Sequence, residues 1–167
     1  MSVVTKKAVI FIMALLLGAC GYHLRGALDL PVGMKNVYLD GGSTPLREQF
    51  KRTLRSSAGK LTNSPEGAGM IIRIFGEDFN RRALSLSSRG KAEEFELFYR
   101  LEYELLGSGK SVLMSRQPVE VRRDYFNDQQ DIIAKESEEA VIRNEMYQQA
   151  VRTIVDRARV VLEANAR

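Results

Sequence analysis

One cysteine, one histidine and four prolines in 167 residues leave little material for several kinds of chemistry. With Cys20 alone the fold has no disulfide and no thiolate metal site, and it must depend on packing. His23 is poorly placed to serve a catalytic triad. No apolar run approaches the roughly 20 residues that a helix needs to cross a bilayer. Charge of one sign is not in excess either: 25 Lys and Arg stand against 21 Asp and Glu, a formal net charge of +4. The global basic field expected of a nucleic-acid partner is absent. There is no phosphate-cradling glycine loop, nucleophile elbow or metal-ligand cluster. No enzyme, no resident cofactor and no metal are therefore expected, which leaves binding or assembly.

The first twenty residues are distinctive. Lys6 and Lys7 precede an uncharged apolar run from Ala8 to Leu17, and the small residues Gly18 and Ala19 follow. That is the anatomy of a secretory signal. Leu17-Gly18-Ala19-Cys20 resembles the lipobox of bacterial lipoproteins, which implies cleavage before Cys20 and a diacylglycerol and an N-acyl chain on that residue. More than one chain matters, because a single acyl chain holds a protein to a membrane only marginally. Gly21 stands where an Asp would imply retention in the inner membrane, so the implied location is the outer membrane of a Gram-negative bacterium, on its periplasmic side. Removal of residues 1–19 takes Lys6 and Lys7 and leaves 148 residues with 23 basic against 21 acidic side chains. The expected organisation is a signal peptide at 1–19, a lipidated tether at 20–36 and one domain at 37–167.

Along that domain, Val37-Tyr38-Leu39 predicts a short strand and Asp40 to Ser43 a turn. Thr44 is the expected N-cap of a helix, with Pro45 at the first helical position, Leu46, Phe50 and Leu54 as the apolar stripe and Gly59 as the stop. Residues 62–67 read as loop. Met70, Ile72 and Ile74 then alternate, and the same parity returns at Leu84 and Leu86, with Glu77 to Arg82 between them either a bulge or a break. Ser87 to Lys91 is hairpin-turn chemistry. The firmest pattern is Phe95, Leu97, Tyr99, Leu101, Tyr103 and Leu105 against Glu94, Glu96, Arg100, Glu102 and Glu104, a half-buried antiparallel strand. A turn at Gly107 to Lys110 leads to a third long strand through Val119, Val121 and Tyr125, with Pro118 at a kink or edge. Asn127 to Gln130 has the form of a capping box. The apolar recurrence from Ile132 through Ala140, Val141, Val151 and Ile154 to Leu162 predicts one long amphipathic helix, straight or bent near Ser137. The economical solution is an α+β two-layer sandwich, with two helices on one face of a mainly antiparallel four-stranded sheet.

The glutamates at 93 to 104 do not form a glycosidase pair, since alternation puts most of them on the wet face of a strand. The meander does point to a basic tip. The turn around Arg89 and Lys91 lies at one sheet end and the turn at Gly107 to Gly109 at the other. The third strand therefore exits at Phe126 back at the Arg89 end, where the long helix begins. Lys135 lies about 12 Å along that helix. Arg89, Lys91 and Lys135 are the candidate phosphate-binding residues, Arg offering bidentate contacts and Lys a point charge.

Cys20-Gly21-Tyr22-His23-Leu24-Arg25, the Arg89-Gly90 turn, Asp124-Tyr125-Phe126-Asn127-Asp128, the Ala134-Lys135 step and Asn144-Glu145-Met146-Tyr147 together resemble the LPS-assembly lipoprotein family LptE. The resemblance implies a fold of two helices on a four-stranded sheet and a place as a plug inside the outer-membrane β-barrel LptD. It also implies assistance in assembling the barrel and passing lipopolysaccharide to the cell surface, with residues matching Arg89 and Lys135 associated with lipopolysaccharide binding. The alternative is a structural lipoprotein that braces a barrel without handling ligand.

Overall fold

The computed structural model describes residues 30–126 and 132–165, the side chains of residues 132–137 excepted. The signal peptide, Cys20, His23 and the capping box at 127–130 lie outside the described residues. A short 3-10 turn, Val32–Met34, precedes β1 (Asn36–Asp40), α1 (Thr44–Ser56), β2 (Lys60–Thr62), β3 (Met70–Leu86), β4 (Ala92–Gly107), β5 (Val112–Phe126) and α2 (Ile132–Asn165). The sheet order is β2-β1-β3-β4-β5. β1 runs parallel to both β2 and β3, while β3, β4 and β5 form an antiparallel meander. Both helices lie on one side, as the apolar stripes require. Among the described residues no helix is long and apolar enough to cross a membrane.

The sheet has five strands where four were expected. Lys60-Leu61-Thr62, the stretch leading into the expected loop, pairs with Asn36-Val37-Tyr38. Three residues with no buried side chain carry no periodic signal. They become a strand because α1 returns the chain beside β1. The helix cap also shifts by one residue. Ser43, not Thr44, holds the extended conformation of a cap (φ −69°, ψ 162°), and its Oγ accepts a bond from the Leu46 amide at 3.4 Å. Thr44 and Pro45 then fill the first turn, where a missing N–H costs nothing. At the other end the left-handed residue is Ala58 (φ 57°). Gly59 is needed for a different reason: a Cβ there would stand 2.7 Å from Leu30 Cδ1 and 3.2 Å from the Met34 carbonyl oxygen.

β4 supplies the centre of the core, with Leu97, Tyr99, Leu101, Tyr103 and Leu105 all fully buried. Phe50 and Leu54 of α1 and Met146, Ala150, Val151, Ile154 and Ala158 of α2 close over them. Burial of a side chain of this size is worth about 1.5–3 kcal/mol. The core also takes in Leu30 and Met34, within the stretch read as tether. In α2 the inward stripe begins later than periodicity suggests, for Ala140 is exposed and Val141 is 54% exposed. Glu139 and Arg143 occupy the sheet-facing positions there, for reasons given below.

The stretch from Glu77 to Arg82 is a bulge within a continuous strand. Phe75 pairs with Glu102 and Asp78 with Arg100, so three steps on β3 match two on β4. Gly76 takes the left-handed conformation (φ 52°) that this kind of bulge requires. The extra residue flips the parity. Phe79 now faces the helices, with its ring 5.9 Å from that of Tyr99 and 6.3 Å from that of Tyr147. Leu84 and Leu86, expected on the core face, are 44% and 63% exposed.

The face of the sheet away from the helices is a lattice of alternating charge. Arg73 pairs with Asp40 at 2.7 Å and Glu104 at 2.8 Å, Arg82 with Glu96 at 2.7 Å, and Arg116 with Glu102 at 3.5 Å. Arg116 also covers the Phe75 ring at 3.8 Å and Arg122 the Phe98 ring at 5.1 Å. These cross-strand pairs are what alternation of Glu and Arg on a wet face should produce.

Two buried side-chain polar atoms among the described residues lack a hydrogen-bonding partner in good geometry, Arg159 Nε and the Tyr103 hydroxyl. Burial pushes the Tyr103 phenol above its ordinary value, and the Arg157 guanidinium close by only partly offsets this. An unpaired buried hydroxyl opposes folding. Tyr103→Phe is therefore expected to leave stability unchanged or raise it by about 1 kcal/mol, read as an upward shift of the urea midpoint at constant slope.

Candidate functional site

The tip is built by the β3–β4 hairpin. Ser87 N–H donates to the Lys91 carbonyl at 2.7 Å and Gly90 N–H to the Ser87 carbonyl at 2.9 Å, and the Ser87 Oγ takes the Lys91 amide at 3.1 Å. Gly90 is left-handed (φ 72°), as the last position of a three-residue hairpin loop demands. Arg89 and Lys91 emerge from this turn fully into solvent. Neither has a carboxylate partner among the described residues. The end of β5 returns here, since Glu94 pairs with Phe126. Phe126 is 74% exposed, so two basic side chains share a sheet end with Leu84, Leu86 and Phe126.

The helix beyond β5 is held by a clamp just below the tip. Glu139 accepts bonds from Tyr125 Oη at 2.8 Å, from Arg81 at 3.0 Å and from Arg143 at 2.7 and 2.9 Å. Arg81 stacks over Phe95 at 4.7 Å and Arg143 over Phe79 at 4.1 Å. Farther along, Arg123 reaches Gln149 at 2.5 Å and Arg157 the Pro118 carbonyl at 3.4 Å. α2 thus runs antiparallel to β5, away from the tip. Lys135 lies in α2 one turn before Glu139, about 6 Å nearer the tip along the axis. Its side chain is outside the described residues.

Burial alone would push the Glu139 carboxyl up, but the bonds from Tyr125 and Arg143, the Arg143 charge and the Arg81 bond outweigh it and hold the group below its ordinary 4.5. A depressed carboxyl stabilises the fold fully above its unfolded value and loses that contribution as pH falls through the folded one. The destabilisation caused by Glu139→Gln is accordingly expected to be larger at pH 7 than at pH 3, as measured by urea midpoints.

The topology brings Arg89, Lys91 and the start of α2 to one end of the molecule, as the meander predicted. The clamp is what sequence reasoning missed. Arg81 counts outward along an unbroken strand and turns inward only because the bulge adds a residue. Gly76 inside a strand pattern is the one local signal of it. Among the described residues no group of three or more His, Cys, Asp or Glu could hold a metal ion.

Comparison with known proteins bears on what this arrangement serves. The model of the family described as LptE, lipopolysaccharide-assembly, matches residues 34–158. The chain belongs to the LptE family. Curated LptE relatives named LPS-assembly lipoprotein include one from Pectobacterium atrosepticum, 26% identical over 150 residues, covering 88% of this chain and 80% of that one. Another, from Yersinia enterocolitica, is 28% identical over 160 residues, covering 90% and 76%. The names of these LptE relatives describe lipoproteins of LPS assembly, a non-enzymatic family role. The solution structure of lipoprotein B from Nitrosomonas europaea superposes with a TM-score of 0.71 at 29% identity, covering 86% of this chain and 94% of that one. Rare lipoprotein B from Shewanella oneidensis gives 0.63 at 25%, covering 78% and 98%. The α+β sandwich derived from the patterning is thus a fold that solved lipoproteins share.

Proposed function

We propose that this LptE-family chain is an outer-membrane lipoprotein, lipidated at Cys20 on the periplasmic side, that plugs an LptD-type β-barrel and assists its assembly. On this reading it meets lipopolysaccharide through Arg89, Lys91 and Lys135. The observation that carries the ligand part is the tip. Arginines across the open sheet face are ion-paired, whereas Arg89 and Lys91 are free of carboxylates among the described residues. Unpaired cations beside exposed Leu84, Leu86 and Phe126 complement a ligand that is both phosphorylated and acylated. The mechanism is competitive pairing: basic side chains take the phosphates that divalent cations otherwise bridge, and the apolar residues shield the emerging chains. No covalent bond changes.

The test has two arms. A chain tagged at Arg167 and drawn from detergent-solubilised outer membranes is expected to bring down a barrel protein in stoichiometric amount. Arg89→Glu with Lys135→Glu is expected to cut co-purified lipopolysaccharide at least tenfold while the barrel stays bound. Undiminished lipopolysaccharide would leave a lipoprotein that only braces its barrel. Recovery of the chain alone would sink the plug.

A further inference from the structure

The molecule leaves few arginines unsatisfied. Eleven of the fifteen described arginines have an ion-pair or hydrogen-bond partner on the sheet or the helices. Arg52, Arg55, Arg89 and Arg152 alone have neither a carboxylate within 4 Å nor a hydrogen-bonded acceptor among the described residues. Arg89 belongs to the tip. Arg52 and Arg152 face a groove of about 440 Å³ between α1 and α2, on the side of the helices away from the sheet, and Arg55 follows on α1.

The groove is lined by amides and hydroxyls as well as by these cations. Gln49 and Thr53 stand on the α1 wall, Asn144 and Gln148 on the α2 wall. Gln49 is only 8% exposed, yet its amide makes no hydrogen bond to the described residues and is not sealed from solvent. A primary amide more than nine-tenths buried ordinarily has a partner. Here it opens onto the groove, with both a donor and an acceptor to offer.

Shape and chemistry narrow the occupant. The lining runs from Gln49 to Ser56 on α1 and from Val141 to Arg152 on α2, about 10 and 16 Å of helix. That length matches four or five residues of extended chain at about 3.3 Å each. A single phosphate would need donors converging on one point, and the lining also includes the carboxylate of Glu145. No aromatic ring lines the groove to stack on a sugar. Side-chain amides instead reproduce the donor and acceptor pair of a peptide bond, and the free arginines suit carboxylates. We propose that the groove between α1 and α2 receives an extended, acidic segment of a partner protein, its main chain read by Gln49, Asn144 and Gln148 and its carboxylates held by Arg52 and Arg152. This surface is separate from the tip and does not depend on ligand binding there.

The test places a photo-crosslinking amino acid at Thr53 or at Gln148 of the full-length lipoprotein in cells, with the crosslinked peptide sequenced by mass spectrometry. Both positions are expected to capture the same segment of one partner, containing at least two Asp or Glu within five residues. Arg52→Glu and Arg152→Glu, each made separately at these exposed positions, are expected to lower the yield at least fivefold, with thermal melts confirming that each variant folds. Crosslinks to lipopolysaccharide, to a second copy of this chain, to a segment without acidic residues or to nothing would overturn the proposal, as would yields indifferent to both reversals. Failure of the tip reading shows separately, as lipopolysaccharide retention unaffected by Arg89→Glu.

Discussion

Glu77→Ala is expected to cost roughly 4 kcal/mol, near the upper end of what one substitution does. The Glu77 carboxylate gathers three donors from two elements. It takes the Ser43 amide and the Ser43 hydroxyl, each at 2.6 Å, and the Tyr99 hydroxyl at 2.9 Å. Ser43 caps α1, and Tyr99 is fully buried in the centre of β4. One side chain at the bulge therefore ties the start of a helix to the middle of the sheet. Its loss strands the Tyr99 hydroxyl in the core and frees the cap, and hydrogen bonds to a charged acceptor are worth about 1.5–3 kcal/mol each. Burial, the Glu77 charge and the bond to it push the Tyr99 phenol far above its ordinary value, so it remains a neutral donor. The measurement is urea unfolding, with the midpoint falling at constant slope. Adding Tyr99→Phe to Glu77→Ala should restore part of the loss, because it removes the stranded hydroxyl. A loss below 1 kcal/mol for the single variant would mean that the clasp contributes little.

Gly69→Ala is the second large effect, expected at about 3 kcal/mol and roughly 10 °C in Tm. A Cβ on Gly69 would stand 2.5 Å from the Gly33 carbonyl oxygen and 3.0 Å from two further Gly33 backbone atoms. The contact is backbone on backbone, so no rotamer change relieves it. The same residue donates its N–H to the Asn36 carbonyl at 2.8 Å, which holds the start of β1 against the chain entering β3. Two nearby glycines serve as controls. Gly67 has nothing within 4 Å of its Cβ position but a φ of +77°, so Gly67→Ala should cost only the left-handed penalty of about 1–2 kcal/mol. Gly33→Ala meets a flexible Leu162 methyl at 3.1 Å, a contact that side-chain motion can relieve. Thermal melts of the three variants should therefore rank Gly69→Ala lowest.

Both effects arise where distant segments meet, and that marks the boundary of what the linear chain reveals. Strict alternation in β4 names six inward residues without any structure, five of them fully buried and Phe95 partly so, because a strand has only two faces and the charges mark the wet one. The hairpin turns and the long helix are legible for the same reason: glycine, small residues and period are local properties. With three hairpin-linked strands the direction of each follows from the one before. The meeting of Arg89, Lys91 and the start of α2 at one end was thus available from order alone. What the chain conceals is non-local. Lys60 to Thr62 form a strand only because β1 is alongside. Arg81 faces Glu139 only because one residue at Gly76 shifts the side chains after it to the opposite face, and two further register shifts between Ala83 and Leu86 bear on the exposed Leu84 and Leu86. Gly69 looks like loop punctuation until Gly33, thirty-six positions earlier, crosses it within contact distance. Local pattern determines which elements form; their packing determines which polar side chains find partners and which, like Gln49 and Arg152, are left facing outward.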